Sequence, residues 1–168
     1  IPTVQNPTAT ILSEKRRRTL LELADEYDVP VFEDDCYADL VWSGKRPPAL
    51  HAMSTRGNVI HIGSFSKSIA PAFRVGFAVA PWDVLSRLLS VKFDAGSGAL
   101  EQMVLAEYCK THFTAHVPKL TRGLRVKLDA LMEALAANFG TAAEFEEPQG
   151  GIFLWVKLPD QVDTMRLF

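Results

Sequence analysis

Three polar clusters in this sequence carry side chains that can do chemistry, and each lies at a predicted turn or strand end. They are Asn6-Pro7-Thr8, Asp34-Asp35-Cys36-Tyr37, and Ser64-Phe65-Ser66-Lys67 together with Arg74. In an α/β sheet, polar groups at the carboxyl ends of strands converge on one crevice. We therefore expect the three clusters to share one site.

The third cluster suggests the chemistry of that site. Ser64, Ser66 and Arg74 supply two hydroxyls and a planar cation, a set that suits a phosphate group. Lys67 is a candidate nucleophilic amine, because burial and a nearby cation both favour the neutral form of a lysine. Taken singly, such residues are more often helix caps, solvated loops and surface charges. The prediction therefore rests on the order and spacing of these residues together.

Alternating helical and strand patterns position these clusters. Ser13 is expected to cap a helix over 14–27, on which Lys15-Arg16-Arg17-Arg18 forms a solvated basic surface rather than a nucleic-acid site. Buried strands are predicted at 30–35, 59–63 and 75–80. The connection between the second and third strands is too short for a helical crossover. These two are therefore expected to be antiparallel neighbours, whereas the first and second can be parallel.

The remaining chain has the pattern of further helices and of two more strands. Helices are predicted over 81–92, 99–112 and 118–138, strands over 142–145 and 151–158, a loop over 42–48, and a helix start over 163–168. His112 and His116 have metal-ligand spacing but lack a third ligand, which favours a helix junction, and we expect no metal. The long third helix is the natural place for a change of domain.

Composition excludes several classes of protein. The 168 residues are 48% hydrophobic, with 18 Lys+Arg against 20 Asp+Glu, as in ordinary globular domains. No stretch approaches the roughly 18 apolar residues of a membrane span, and the net charge of −2 gives no reason to expect nucleic acid. The two cysteines do not form a disulfide pattern, which indicates a reducing, cytoplasmic compartment. Both ends interrupt motifs, so we expect a segment of a longer protein.

Five motifs, in order, resemble those of the fold-type I pyridoxal-phosphate-dependent aminotransferases of class I/II. Gln5-Asn6-Pro7-Thr8 is similar to the NPTG turn, and the Arg16-Arg17 to Leu23-Ala24 helix to RR..LL.LA. Glu33-Asp34-Asp35-Cys36-Tyr37 is similar to EDD.Y, 63–76 to GSFSK...PG.R.G, and 148–155 to P.GG.F.W. The EDD.Y and GSFSK forms are typical of the aromatic, aminoadipate and kynurenine branch.

This resemblance implies an α/β fold in two parts. Residues 1–116 would form the second half of the large cofactor-binding domain. Residues 117–168 would form the linking helix and the start of the small C-terminal α+β domain. The implied activity is transfer of an amino group between an amino acid and a 2-oxo acid by a homodimer, with pyridoxal 5'-phosphate as cofactor and no membrane or nucleic-acid partner.

The resemblance also assigns roles by position. Lys67 would attach the cofactor covalently and carry a proton from the substrate Cα. Asp34 would pair with the pyridine nitrogen, and Tyr37 and Asn6 would bond the phenolate oxygen. Side chains that would hold the phosphate are Ser64, Ser66 and Arg74. Cys36 is expected to be a small buried residue, with a role as a target for thiol reagents as the alternative.

Two positions depart from the family pattern, because Ala9 and Ala72 stand where glycine is usual. A positive φ at either would cost about 1 kcal/mol. The family's phosphate loop, ring-stacking aromatic and carboxylate-binding arginine have no counterpart in these residues. We therefore expect the segment to be inactive by itself.

Two alternatives keep the fold and change the function. One is the aminotransferase-like effector domain of a transcription regulator, which a winged-helix segment upstream would indicate and which the Cys36-Tyr37 arrangement disfavours. The other is a lyase or decarboxylase of the same fold, which the geometry of the substrate carboxylate would decide.

Overall fold

The computed structural model describes residues 1–43, 45–94 and 96–166. The helices are α1 (Glu14–Glu26), α2 (Leu50–Met53), α3 (Trp82–Ser90), α4 (Ala99–Thr111) and α5 (Phe113–Phe139). The strands are β1 (Val31–Asp34), β2 (Val59–Ser64), β3 (Gly76–Val79), β4 (Glu144–Phe145) and β5 (Val156–Lys157). Single 3₁₀ turns cover Ala38–Leu40, Pro71–Phe73 and Thr164–Arg166. Gly44 in the predicted 42–48 loop, and Leu167 and Phe168 in the predicted last helix, lie outside the described residues.

The central sheet has the order β1-β2-β3. β1 and β2 are parallel, with Asp34 opposite Ile62, and β2 and β3 are antiparallel, with Ser64 opposite Gly76. Both strand orientations expected from the connection lengths are thus confirmed. The parallel pair brings the carboxyl ends of β1 and β2 to the same edge of the sheet.

Helices α1 and α2 cover one face of this sheet. Leu21 of α1, Leu50 of α2 and Val59 of β2 form a buried cluster, with Val31 and Met53 packed against it. Because successive strand residues point to opposite faces, Val31 and Val59 on this face leave the alternate positions for the other face. The position of the helices therefore determines which polar residues of β1 and β2 lie on the face opposite the expected crevice.

Helix α1 begins where the sequence predicts. Ser13 has an extended backbone, and its side chain accepts a hydrogen bond from the Arg16 N–H. The prediction for the basic run at 15–18 holds for Lys15, Arg16 and Arg18, which are exposed, and is wrong for Arg17, which is completely buried. The run spans more than one helical turn, so one of its members must face inward.

The buried Arg17 guanidinium is surrounded by acceptors. It donates to the carbonyls of Leu12, Pro48 and Pro2 at 2.9, 3.1 and 2.8 Å, and to the Thr3 hydroxyl at 2.8 Å. Burial lowers its pKa, and the neighbouring carboxylates of Asp35 and Glu33 oppose that shift. The charge is retained because acceptors replace the lost water.

Glu33 is also fully buried, and one of its carboxylate oxygens lies 3.9 Å from a guanidinium nitrogen of Arg17. Its carboxylate accepts hydrogen bonds from the N–H groups of Leu50 and His51, at 2.7 and 3.0 Å, and lies 3.1 Å from Nδ1 of His61. One carboxylate therefore joins β1, β2 and the start of α2. We call Arg17, Glu33 and His61 the buried polar cluster.

The C-terminal elements differ from expectation in two places. α5 begins at Phe113, not at Pro118, because the His112 carbonyl accepts hydrogen bonds from Ala115 and His116 and starts the helix earlier. The proposed domain boundary at 116/117 thus falls inside α5 and remains a prediction. The strand predicted over 151–158 pairs only at Val156–Lys157, against β4, and at its start the Gly151 N–H donates to the Leu40 carbonyl instead.

The histidine pair acts as the predicted helix junction. His112 lies between α4 and α5, and the Tyr108 hydroxyl of α4 lies 2.9 Å from Nδ1 of His116. In the described part of the chain, no helix combines the length and the apolar character needed to cross a bilayer.

We predict that Arg17→Met destabilises the protein by about 3–5 kcal/mol, because it leaves the buried Glu33 carboxylate without its counter-charge. The matched control is Arg16→Met, which changes an exposed neighbour on the same helix and should stay within about 0.5 kcal/mol. Urea unfolding of the full-length protein, followed by far-UV circular dichroism, measures both. Equal losses in the two variants would contradict the buried role of Arg17.

Candidate functional site

The polar clusters predicted from sequence meet at the carboxyl edge of β1 and β2. Asp34 ends β1 and Ser64 ends β2, and since Asp34 pairs with Ile62, the two side chains belong to the same face of the sheet. This face is opposite the one that carries Glu33 and His61. This edge and face, which carry a carboxylate at one strand and a hydroxyl at the next, are called the crevice below.

The two adjacent aspartates have different surroundings, as strand alternation predicts. Asp34 is half-buried, and its Oδ1 accepts a hydrogen bond from the Cys36 N–H at 3.3 Å. Asp35 is buried on the other side, where its Oδ2 lies 2.6 Å from the Arg46 guanidinium. Only Asp34 is therefore left to face the crevice.

Tyr37 follows Asp34 by three residues and is buried, 6% exposed. Burial raises the pKa of its phenol, the Cys36 thiol and the Asp34 carboxylate act in the same direction, and a hydrogen bond with the Asn6 side chain lowers it. The phenol thus remains a hydrogen-bond donor at neutral pH, with the Asn6 amide next to it. The first and second clusters, far apart in sequence, meet here.

The third cluster reaches the same place through Lys67. Burial, followed by a hydrogen bond and the charge of Asp34, raises the pKa of the Cys36 thiol to about 11, and the positive charge of Lys67 opposes these effects. Lys67 is itself half-buried. The charges of Lys67 and Asp34 thus both act on the Cys36 thiol, and Asn6 bonds the neighbouring Tyr37.

The turn that carries Lys67 is compact. The Ser64 hydroxyl accepts a hydrogen bond from the Ser66 N–H at 3.2 Å, and the Phe65 N–H donates to the Val75 carbonyl at 3.2 Å. The second bond places Arg74 beside the serine turn. Its guanidinium is exposed and donates to the Pro71 carbonyl at 3.3 Å, so its role toward a phosphate remains a prediction.

The two departures from the family pattern have different consequences. Ala9 has φ +56° and is fully buried, so the glycine-like conformation is kept despite the methyl group. Ala72 lies in the 3₁₀ turn Pro71–Phe73, and the left-handed residue after that turn is Arg74, with φ +53°. The strain cost of about 1 kcal/mol therefore applies at Ala9.

Glu33, Asp35 and His61 form a buried group with the spacing of a metal site in the described residues. Both Glu33 oxygens already accept hydrogen bonds, and Asp35 is paired with Arg46. The guanidinium groups of Arg17 and Arg46 supply the positive charge that a metal ion would bring. We interpret the group as part of the ionic support behind the crevice.

Two residues next to the site were given no role from the sequence. Phe153 packs edge-on against Tyr37, with ring centroids 5.3 Å apart, and Glu33 holds β1 from behind. A glutamate in the middle of an apolar strand is itself a signal of a buried partner. Phe153 carried no comparable signal, because its contact joins segments more than 100 residues apart in sequence.

Comparison with known proteins shows which family this chain matches. Residues 1–168 match the family model of the class I and II aminotransferases. The chain is 34% identical to the HTH-type transcriptional regulator YisV of Bacillus subtilis, over 100% of this chain and 35% of that protein. It is 35% identical to aromatic-amino-acid aminotransferase 1 of Thermococcus litoralis, over 98% of this chain and 40% of that enzyme.

Among solved structures, the chain is similar to LysN, an α-aminoadipate aminotransferase of Thermus thermophilus crystallised with N-(5'-phosphopyridoxyl)-L-leucine. The TM-score is 0.95 at 34% identity, covering 100% of this chain and 44% of that one. The chain thus spans about two fifths of the length of these relatives.

The thiol of Cys36 should react slowly, which argues against the thiol-reagent alternative. With a pKa of about 11, only about a thousandth of the thiol is ionised at pH 8, so alkylation should be about 100-fold slower than for a free cysteine. Asp34→Asn should accelerate it, because it removes a carboxylate that raises the pKa. Iodoacetamide labelling with peptide mapping of the full-length protein measures the rates. Labelling of Cys36 as fast as of a short peptide would contradict the assigned environment.

Proposed function

This chain belongs to the class I and II aminotransferase family, and we propose that the protein is a pyridoxal-phosphate-dependent aminotransferase acting on an amino acid and a 2-oxo acid. The observation that supports the proposal is that the charges of Asp34 and Lys67 both act on the Cys36 thiol, while Asn6 bonds the Tyr37 phenol next to it: a carboxylate, an amine, an amide and a phenol. These residues come from three separate segments. Each has a chemical counterpart on a pyridoxal ring.

The residues present fit the cofactor. A carboxylate suits a ring nitrogen, two neutral donors suit a phenolate oxygen, and an amine suits an aldehyde. The serine turn offers the hydroxyls of Ser64 and Ser66 for the phosphate. Next to Lys67, the hydroxyl of Ser68 is buried without a partner in the described residues, as expected for a turn that closes around another group.

When bound, pyridoxal phosphate supplies an aldehyde and a ring that accepts electrons from the substrate carbon. Lys67 Nζ would attach that aldehyde and, once displaced by the substrate amine, would move the proton of the substrate Cα. Asp34 would hold a proton on the ring nitrogen. Tyr37 and Asn6 would donate hydrogen bonds to the phenolate oxygen, and Ser64, Ser66 and Arg74 would hold the phosphate.

The assembly and location of the protein are further parts of the proposal. We propose a cytoplasmic homodimer. Two free cysteines, Cys36 and Cys109, are consistent with a reducing compartment. Trp82 and Phe93, 71% and 95% exposed, are large apolar side chains that a second subunit would cover.

The similarity to YisV favours a second candidate, the cofactor-binding domain of a transcription regulator. Both candidates require the same cofactor residues, and they differ in turnover. Full-length protein supplied with amino acids and 2-oxo acids should interconvert them if it is an enzyme. A regulator would bind cofactor at Lys67 without sustained turnover, and a lyase or decarboxylase would release a different product.

Borohydride reduction of the full-length holoprotein should fix the cofactor to Lys67, because reduction traps a carbon–nitrogen double bond as a stable amine. Peptide mapping by mass spectrometry locates the label, and Lys67→Arg should abolish it. A label on Lys92 or Lys119 would contradict the assignment.

Asp34→Ala and Asp35→Ala should separate catalysis from stability. Asp34→Ala should lower the single-turnover rate by about 10²-fold or more, because the ring loses the carboxylate that keeps its nitrogen protonated. Asp35→Ala should keep most of the rate and lose about 1–3 kcal/mol of stability, because Arg46 loses a buried partner. A larger rate loss in Asp35→Ala would mean that β1 faces the other way.

A further inference from the structure

The segment Gln149–Gly151, which we call the clamp, joins two loops of the site. The Gln149 N–H donates to the Ala9 carbonyl at 3.3 Å, and its side-chain Oε1 accepts from the Ile11 N–H at 2.7 Å. Its carbonyl accepts from the Trp42 N–H at 3.0 Å. One residue therefore bonds both the segment that follows Asn6 and the segment that follows Tyr37.

The two glycines of the clamp also contact the segment that follows Tyr37. The Gly151 N–H donates to the Leu40 carbonyl at 2.9 Å, and Gly150 forms an antiparallel bridge with Val41. Leu40 lies three residues after Tyr37, just as Ala9 lies three residues after Asn6. The distances along the chain are short enough for a shift of the clamp to move both side chains.

The fit between the clamp and the two loops leaves no room for a side chain. A Cβ on Gly150 would lie 2.5 Å from the Leu40 carbonyl oxygen and 2.8 Å from Cγ2 of Val4. Gly151 has φ +83° and packs directly on Val4. Val4 and Ala9 are both fully buried and both have φ +56°. Residues stay in this left-handed conformation where their surroundings fix them, and here the clamp is part of those surroundings.

Phe153 extends the clamp toward the phenol. It lies two residues beyond Gly151, and its ring packs edge-on against Tyr37, with centroids 5.3 Å apart. The backbone bonds thus hold the main chain of the Tyr37 segment in place, and the aromatic contact positions the Tyr37 ring. Both come from the C-terminal part of the chain.

We propose that Gln149 and Gly150 are positioning residues, which hold the Asn6 and Tyr37 segments at the spacing needed to bond one cofactor oxygen. The inference rests on the proposed function, since that oxygen belongs to the pyridoxal ring. Neither residue touches the cofactor in this scheme. Their effect passes through Asn6 and Tyr37.

The strongest test is Gly150→Ala in the full-length holoprotein, because the added methyl group pushes against the Leu40 carbonyl. Donors to a phenolate oxygen draw off its negative charge, so displacing them should move the pH midpoint of the cofactor's absorption change upward, by about half a pH unit or more. The dissociation constant of pyridoxal phosphate should rise about tenfold. Gly123→Ala is the matched control, because a Cβ there meets nothing within 4 Å.

A milder pair of variants covers the case in which Gly150→Ala does not fold. Gln149→Leu removes the acceptor for the Ile11 N–H and should shift the midpoint in the same direction by a smaller amount. Gln149→Glu keeps a side-chain oxygen at that place and should restore the original midpoint. A loss of urea stability with an unchanged midpoint and affinity would show a merely structural role and overturn the proposal.

Amide hydrogen exchange of the protein without cofactor separates this inference from the proposed function. Gln149→Leu should accelerate exchange at Ile11, and Gly150→Ala at Trp42 and Gly151, whereas Gly123→Ala should leave all three unchanged. If the unmutated protein binds no pyridoxal phosphate, the proposed function fails. In that case, accelerated exchange would show only that the clamp holds the two segments, without a cofactor to position. Unchanged exchange overturns the inference whether or not cofactor binds.

Discussion

A buried guanidinium needs an acceptor for its N–H groups, because no water remains to bond them. Arg17 meets this requirement with acceptors from three separate stretches of chain: the N-terminal segment at Pro2 and Thr3, Leu12 before α1, and the loop before α2. A fourth stretch, β1, contributes the opposite charge of Glu33, 3.9 Å away. These stretches cannot move independently without leaving a charge unpaired in the interior. Since β1 is among them, the orientation of Asp34 depends on this contact.

The site is thus supported from two sides. Behind the sheet, the buried polar cluster fixes β1 and β2 by charge and hydrogen bonds. On the other side, the clamp fixes the Asn6 and Tyr37 segments mainly through backbone bonds and close glycine contacts. A charge network tolerates little loss of a partner, whereas a backbone clamp tolerates little added volume. The two supports are therefore tested by opposite changes: removing the charge of Arg17 and adding a methyl group at Gly150.

Relatives of two kinds, enzymes and a transcription regulator, match this chain at almost equal identity. The polar groups that this chain holds in fixed positions do not by themselves distinguish an enzyme from a regulator. The supports described above hold these groups in place whether or not turnover follows. Catalysis additionally needs groups that bind and orient the substrate, and differences between the two kinds of relative are to be sought there.

The sequence by itself determined the parts of this protein that depend on neighbours along the chain. Ser13 as a cap, the apolar runs of β1 and β2, and the short connection to β3 gave the elements and strand directions, and alternation separated Asp34 from Asp35. Tertiary structure alone decided that Arg17 is buried while its neighbours are solvated, that α5 begins before Pro118, and that Gly151 bonds to Leu40 instead of starting a strand. The physical reason is range: the Gln149–Ile11 bond joins residues 138 positions apart, and no local pattern encodes which distant carbonyl or N–H will fill a particular gap.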